Sequence, residues 1–165
     1  MPNIEIKARA SSLQDLRAIA QSLATKHLGM DNQVDTYFET KAGRLKLRES
    51  TLSGAYLIPY LRPDTSGPKK SDYDRLTSED GKKTKDLFSK ILGTIKVIKK
   101  SRDIYLINNV RVHLDDVEGL GTFLEFEAVY EDSSQECSER EKITELLKAF
   151  NIQDQDLITH SYSDF

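Results

Sequence analysis

The run Asn3, Ile4, Glu5, Ile6, Lys7, Ala8, Arg9 alternates polar and apolar side chains. In an extended strand Ile4, Ile6 and Ala8 share one face, and Asn3, Glu5, Lys7 and Arg9 share the other. Residues two apart along a strand lie about 6.6 Å from one another, so Glu5 and the two cations can touch one extended anion, with or without a metal ion between them. Later stretches repeat the pattern. Arg44, Lys46 and Arg48 form an all-cationic face, Lys100 and Arg102 share another, and Arg111, His113 and Asp115 a third. Like charges in such an array repel unless something anionic lies among them. Glu125 and Glu127 put two carboxylates on one face, as a hard divalent cation wants. With Arg62 and Asp35 added, cations outnumber carboxylates in the set. That composition suits a polyphosphate carried on one or two metal ions, the cations holding phosphoryl oxygens and the carboxylates the metal.

The elements that must position these residues are mostly strands. Alternation predicts strands over 28–39, 44–48, 56–63, 72–76, 94–102, 103–108, 110–115 and 122–130, with a hairpin connection at 41–43 and a loop over 64–70 that holds Lys69 and Lys70 as solvated side chains. Three apolar stripes predict helices. The first covers 12–25 with Ser12 as N-cap, the second 78–92 with Gly93 as its stop, and the third 138–150, opened by a Ser138/Glu141 capping box. The tail from Asn151 carries no readable pattern. Alternation looks the same whether the polar faces point into a barrel or out into water.

A chain of 165 residues is long enough for one domain with a real core. Hydrophobic residues make up 38% and no run approaches the roughly 20 apolar residues of a membrane span, so no membrane partner is expected. The start is not signal-like, and the single Cys137 rules out an internal disulfide and a cysteine-rich zinc site; a cytoplasmic location is the expectation. A net charge of -3 argues against general nucleic-acid binding.

Taken in order, Glu5 with Lys7 and Arg9, residues 35–38, Arg44 with Lys46 and Arg48, residues 60–63, Ile98 with Lys100 and Arg102, 111–115, 120–127 and 161–164 resemble the CYTH superfamily, the triphosphate tunnel metalloenzymes. That superfamily includes class IV adenylyl cyclases, thiamine triphosphatases and inorganic triphosphatases, and the run from Arg111 to Glu127 is most similar to the cyclase subgroup. The resemblance implies an α+β fold in which residues 1–165 form one closed, tunnel-like barrel of about eight antiparallel strands, polar faces inward, with flanking helices. It further implies that Glu5, Glu125 and Glu127 bind Mg²⁺ or Mn²⁺, with Asp115 a further candidate, and that Glu5, Lys7 and Asp115 are the catalytic candidates. Lys7, Arg9, Arg44, Lys46, Arg48, Arg62, Lys100, Arg102 and Arg111 would grip the triphosphate of a small-molecule substrate. Asn3 stands where the family signature places the first of two glutamates, so a metal site there should be weaker or absent. Three functions follow: an adenylyl cyclase making cyclic AMP and pyrophosphate from ATP, a triphosphatase, or a non-catalytic polyphosphate binder, as a monomer or a homodimer. His113 reads as a histidine satisfied by neighbouring carboxylates, with a base role the alternative.

Overall fold

The structure is a computed structural model that describes residues 2–61 and 67–165. Its strands are β1 (Pro2–Arg9), β2 (Lys26–Phe38), β3 (Arg44–Ser50), β4 (Gly54–Leu61), β5 (Lys69–Tyr73), β6 (Leu76–Ser78), β7 (Thr94–Ile107), β8 (Val110–Val117), β9 (Gly121–Val129) and β10 (Leu157–Ile158). Pairing is antiparallel throughout and passes from β1 to β5, β4, β3, β2, β7, β8 and β9. Strand β9 then pairs back along β1 from Asn3↔Val129 to Arg9↔Phe123, so the circuit of pairings returns to its start. Among the described residues the narrowest seam is β4 against β5, where Tyr60↔Tyr73 and Leu61↔Asp72 pair. Strands β6 and β10 lie off this circuit, on β4 and β1.

Burial answers the question that alternation leaves open. Asp35 and Asp115 have no exposed surface, and Lys100, Arg102 and His113 are buried as well, so the polar faces of β2, β7 and β8 point inward. The opposite faces of β1, β8 and β9 supply Ile4, Ile6, Val112, Leu114, Leu124 and Phe126 to the main core. Helices α1 (Leu13–Leu23) and α3 (Glu136–Ala149) cover that core with Leu16, Ala20, Ile143, Leu146 and the adjoining Phe150. Ser12 caps α1 by accepting the Asp15 amide, as its position suggests. A second apolar cluster of Tyr37, Ile98, Val117, Phe123, Ile158 and Tyr162 includes the inward side chains of β2, β7, β8 and β9 together with the folded-back tail.

Several elements differ from expectation. Thr94–Ile107 form one long strand, β7, and not two, because β2 on one side and β8 on the other pair with it continuously through Arg102 and Asp103. Lys69 and Lys70 belong to β5, not a loop; Lys69 is buried opposite Glu5, and its Nζ donates to the Thr159 carbonyl. Helix α2 (Gly81–Leu92) begins three residues later than expected, capped by Asp80, since Ser78 ends β6. Its apolar stripe is largely uncovered: Phe88 reaches Phe38, but Ile91 remains 77% exposed. Helix α3 starts at Glu136, so Ser138 lies inside it, and the capping box is formed one short 3-10 turn earlier by Asp132 and Gln135. Among the described residues no helix is long and apolar enough to cross a membrane.

Candidate functional site

Direct cross-strand neighbours in a sheet bring their Cβ atoms to about 5 Å, and the register uses this spacing to build buried ion clusters on the inner face. The first centres on Asp35. Arg48, its partner across β2 and β3, donates through Nε and Nη2 at 2.7 Å each, while Lys46 Nζ lies at 3.1 Å and Lys100 Nζ at 3.0 Å. Burial pushes the Asp35 carboxyl up, but Arg48, Lys100 and Lys46 outweigh it and hold the group well below the usual carboxylate range. Burial, with Arg48, Arg102 and Lys46 nearby, keeps Lys100 well below an ordinary lysine despite Asp35.

The second cluster pairs Asp115 with Arg102 across β7 and β8. Arg102 Nε and Nη2 donate to its two oxygens at 2.7 Å each, and the Tyr162 hydroxyl donates at 2.7 Å. Burial opposes ionisation of Asp115, yet Arg102 brings its pKa from 3.8 down to about 2. A bidentate pair of this kind fixes the guanidinium plane as well as its charge.

The third group lies where β1, β8 and β9 adjoin. Glu125 receives Lys7 at 3.1 Å and Arg102 at 3.7 Å, and its Oε1 is 3.5 Å from His113 Nδ1. Lys7 Nζ also sits 3.6 Å above the Tyr162 ring. The Asn3 amide donates to Glu127 Oε1 at 2.8 Å. Glu125 is thus the carboxylate neighbour expected of His113, but its 3.5 Å contact with Nδ1 is long for a hydrogen bond, and among the described residues Nε2 has no partner. Burial and Arg102 hold the imidazole below its ordinary pKa.

These groups surround a cavity of about 380 Å³, within the range of small-molecule sites. Glu5, Lys7, Lys46, Arg48, Lys100, Arg102, Arg111, Glu125 and Glu127 all line it. Asp115 does not; it stands behind Arg102. Arg9 is exposed and lies over the Phe123 and Phe165 rings, 5.4 and 5.3 Å from their centroids. Arg44 bonds to Asp164 at 3.0 Å and to Ser163, tying β3 to the tail. Arg62 lies outside the described residues. Sequence reasoning missed Asp35 as the hub for three cations, because only strand register puts it opposite Arg48. The resemblance included residues 161–164 but gave Tyr162 no role, since a tail without periodicity does not tell that β10 will return it to the tunnel.

Ligand atoms of His113, Glu125 and Glu127 lie within 4.8 Å of one another. A buried imidazole with an unpartnered Nε2, beside two carboxylates, fits a divalent cation. Glu5 lines the same cavity but is not one of this close set.

Comparisons with known proteins agree with this architecture. A Methanocaldococcus jannaschii protein provisionally named an adenylate cyclase is 29% identical over 172 residues, covering 98% of this chain and 97% of its own. A Pyrococcus horikoshii protein of known structure superposes with a TM-score of 0.85 at 24% identity, covering 98% of each chain. The structure of a Hippeastrum protein, provisionally called an adenylyl cyclase and described as having a dominant triphosphatase activity, superposes with a TM-score of 0.54 at 17% identity, covering 96% of this chain and 91% of that one. The model of the CYTH domain matches residues 1–162, and the chain belongs to that family.

Proposed function

We propose that the protein is a divalent-metal-dependent enzyme acting on an organic triphosphate, with conversion of ATP to cyclic AMP and pyrophosphate as the leading activity. The observation that carries this reading is the composition of the cavity wall. Arg48, Lys100 and Arg102 present cations held in place by buried carboxylates, and the same cavity is walled by Leu28, Leu52, Ile58, Ile104 and the Tyr56 ring, with the Arg75 guanidinium 3.8 Å from that ring's centroid. Inorganic triphosphate has no use for an apolar wall; a nucleoside does. In the cyclase reaction the ribose 3′ oxygen attacks the α-phosphorus, loses its proton, and expels pyrophosphate. Such chemistry needs positioning and charge neutralisation more than covalent participation. Arg48 and Lys100, oriented by Asp35, and Arg102, oriented by Asp115, neutralise charge on the phosphoryl oxygens and the leaving pyrophosphate. Lys46 and Arg111 extend the clamp, and Lys7 reaches it from β1. The family implies a divalent metal, which Glu125 and Glu127 would hold by their carboxylates, with Glu5 lining the same cavity; when bound it would supply Lewis-acid charge to the phosphoryl oxygens.

A second reading, hydrolysis, is favoured by the Hippeastrum relative and its dominant triphosphatase activity. The same clamp serves water as nucleophile. Incubation with ATP, thiamine triphosphate or inorganic triphosphate, each with Mg²⁺ or Mn²⁺, separates the readings. Cyclic AMP with pyrophosphate supports the cyclase, orthophosphate the hydrolase, and tight binding without turnover refutes both.

A further inference from the structure

His113 is the inward side chain of β8 set across from Glu125 on β9 and Ile104 on β7. It is 2% exposed; Nδ1 has only the long 3.5 Å contact to Glu125 Oε1, and Nε2 has no hydrogen-bond partner among the described residues. A buried polar group is nearly always satisfied, so an imidazole with one nitrogen unpartnered and the other 3.5 Å from a carboxylate oxygen points to a partner that is not a protein side chain. We propose that a ring nitrogen of His113 is a metal ligand, completing with Glu125 and Glu127 a mixed nitrogen–oxygen site that takes Mn²⁺ or a similar first-row cation in preference to Mg²⁺.

The spacing suits one ion. Donors about 2.1 Å from a shared metal lie roughly 3 to 4.2 Å apart, and His113 Nδ1 is 3.5 Å from Glu125 Oε1, within a set whose members all fall inside 4.8 Å. The third ligand is aimed by Asn3, a fully buried amide that donates to Glu127 Oε1 at 2.8 Å. Asn3 therefore acts as a positioning residue: it fixes the Glu127 carboxylate without adding charge. Two carboxylates and one neutral imidazole are a poor match for Mg²⁺, which favours oxygen ligands and retained water. They are a better one for a cation that accepts nitrogen.

The proposal rests on reading the tunnel as a metal-dependent triphosphate site, and its test separates the two. Chelator-treated protein is titrated with Mn²⁺ alone, and electron spin-echo modulation of the bound ion is recorded in wild type and His113→Phe. Metal-free binding of inorganic tripolyphosphate is measured in parallel. Wild type should show ¹⁴N modulation from a directly bound imidazole. In His113→Phe that modulation should vanish and Mn²⁺ affinity should fall by about tenfold or more, while Mg²⁺ affinity changes by less than about threefold. If the variant does not fold, the wild-type spectrum decides alone. Mn²⁺ bound without ¹⁴N modulation, or no Mn²⁺ binding at all, overturns the proposal even where tripolyphosphate binds. Nitrogen-coordinated Mn²⁺ without tripolyphosphate binding upholds the ligand assignment and refutes the triphosphate reading.

Discussion

Replacing Asp35 with Asn removes the one negative charge on which Arg48, Lys46 and Lys100 converge, while keeping the side chain's shape. Asp35 accepts two bonds from Arg48 and one from each lysine, at 2.7 to 3.1 Å, with no exposed surface. Removing one partner of a buried ion pair costs about 3–5 kcal/mol, because the other charge is left uncompensated. Here three cations are left, with Arg102 close enough to add to the repulsion. In a chain of this size each kcal/mol moves Tm by about 2–4 °C, so Asp35→Asn should lower Tm by roughly 6–20 °C. A polyphosphate supplies the missing negative charge, so saturating tripolyphosphate should raise the Tm of the variant more than that of wild type. Urea or thermal unfolding with and without tripolyphosphate measures both effects. A loss within about 0.5 kcal/mol, the range of an inconsequential surface change, or an equal ligand-induced shift in the two proteins, would refute the role given to Asp35.

Asp115 predicts an acid limb: its pKa falls from 3.8 to about 2 on folding, so the unfolded chain binds the proton more readily and stability rises with pH. The contribution, about 2 kcal/mol, is fully present above about pH 5 and is lost between about pH 4 and 2; unfolding measured across that window should show a steeper slope in wild type than in Asp115→Asn, the slope that remains coming from Asp35 and Glu125, which are also held well below the usual range. Tyr56→Ala, which strips the aromatic part of the apolar wall, should weaken binding of a non-hydrolysable ATP analogue by about tenfold and leave tripolyphosphate binding unchanged in calorimetry. Asn3→Glu places a second carboxylate against Glu127 in a buried position, so its Tm should fall in chelator and recover with Mn²⁺ by more than wild type does, with metal stoichiometry rising from one to two by calorimetry.

The strands were legible because their side chains alternate strictly, and their ionic faces were legible for the same reason. What alternation could not carry was direction, since an inward and an outward polar face have the same period. The resemblance supplied the inward sense, and the burial of Asp35, Asp115, Lys100 and Arg102 bears it out. Register was invisible too. Nothing in the spacing tells that Asp35 will face Arg48, or that Asp115 will face Arg102, and these pairings decide which cations are pinned and in what plane. The strand assignment of Lys69 was masked by the glycine and proline just before it, and is imposed by β1 and by the Thr159 carbonyl. Tyr162 comes from a tail whose place depends on two pairs with β1, too few to leave a periodic trace. Arg9 and Arg44 share the alternation of their strands but fall beyond the cavity, because a strand face is longer than the site it helps to build.

The most direct measurement is a crystal structure of the protein with Mn²⁺ and a non-hydrolysable ATP analogue. Expected are phosphoryl oxygens within hydrogen-bond distance of Arg48, Lys100 and Arg102, the metal on Glu125 and Glu127, and the base against the Tyr56 wall. A nucleotide bound on the outer face, or a tunnel left without phosphate at saturating analogue, would contradict the assignment of this cavity as the triphosphate site.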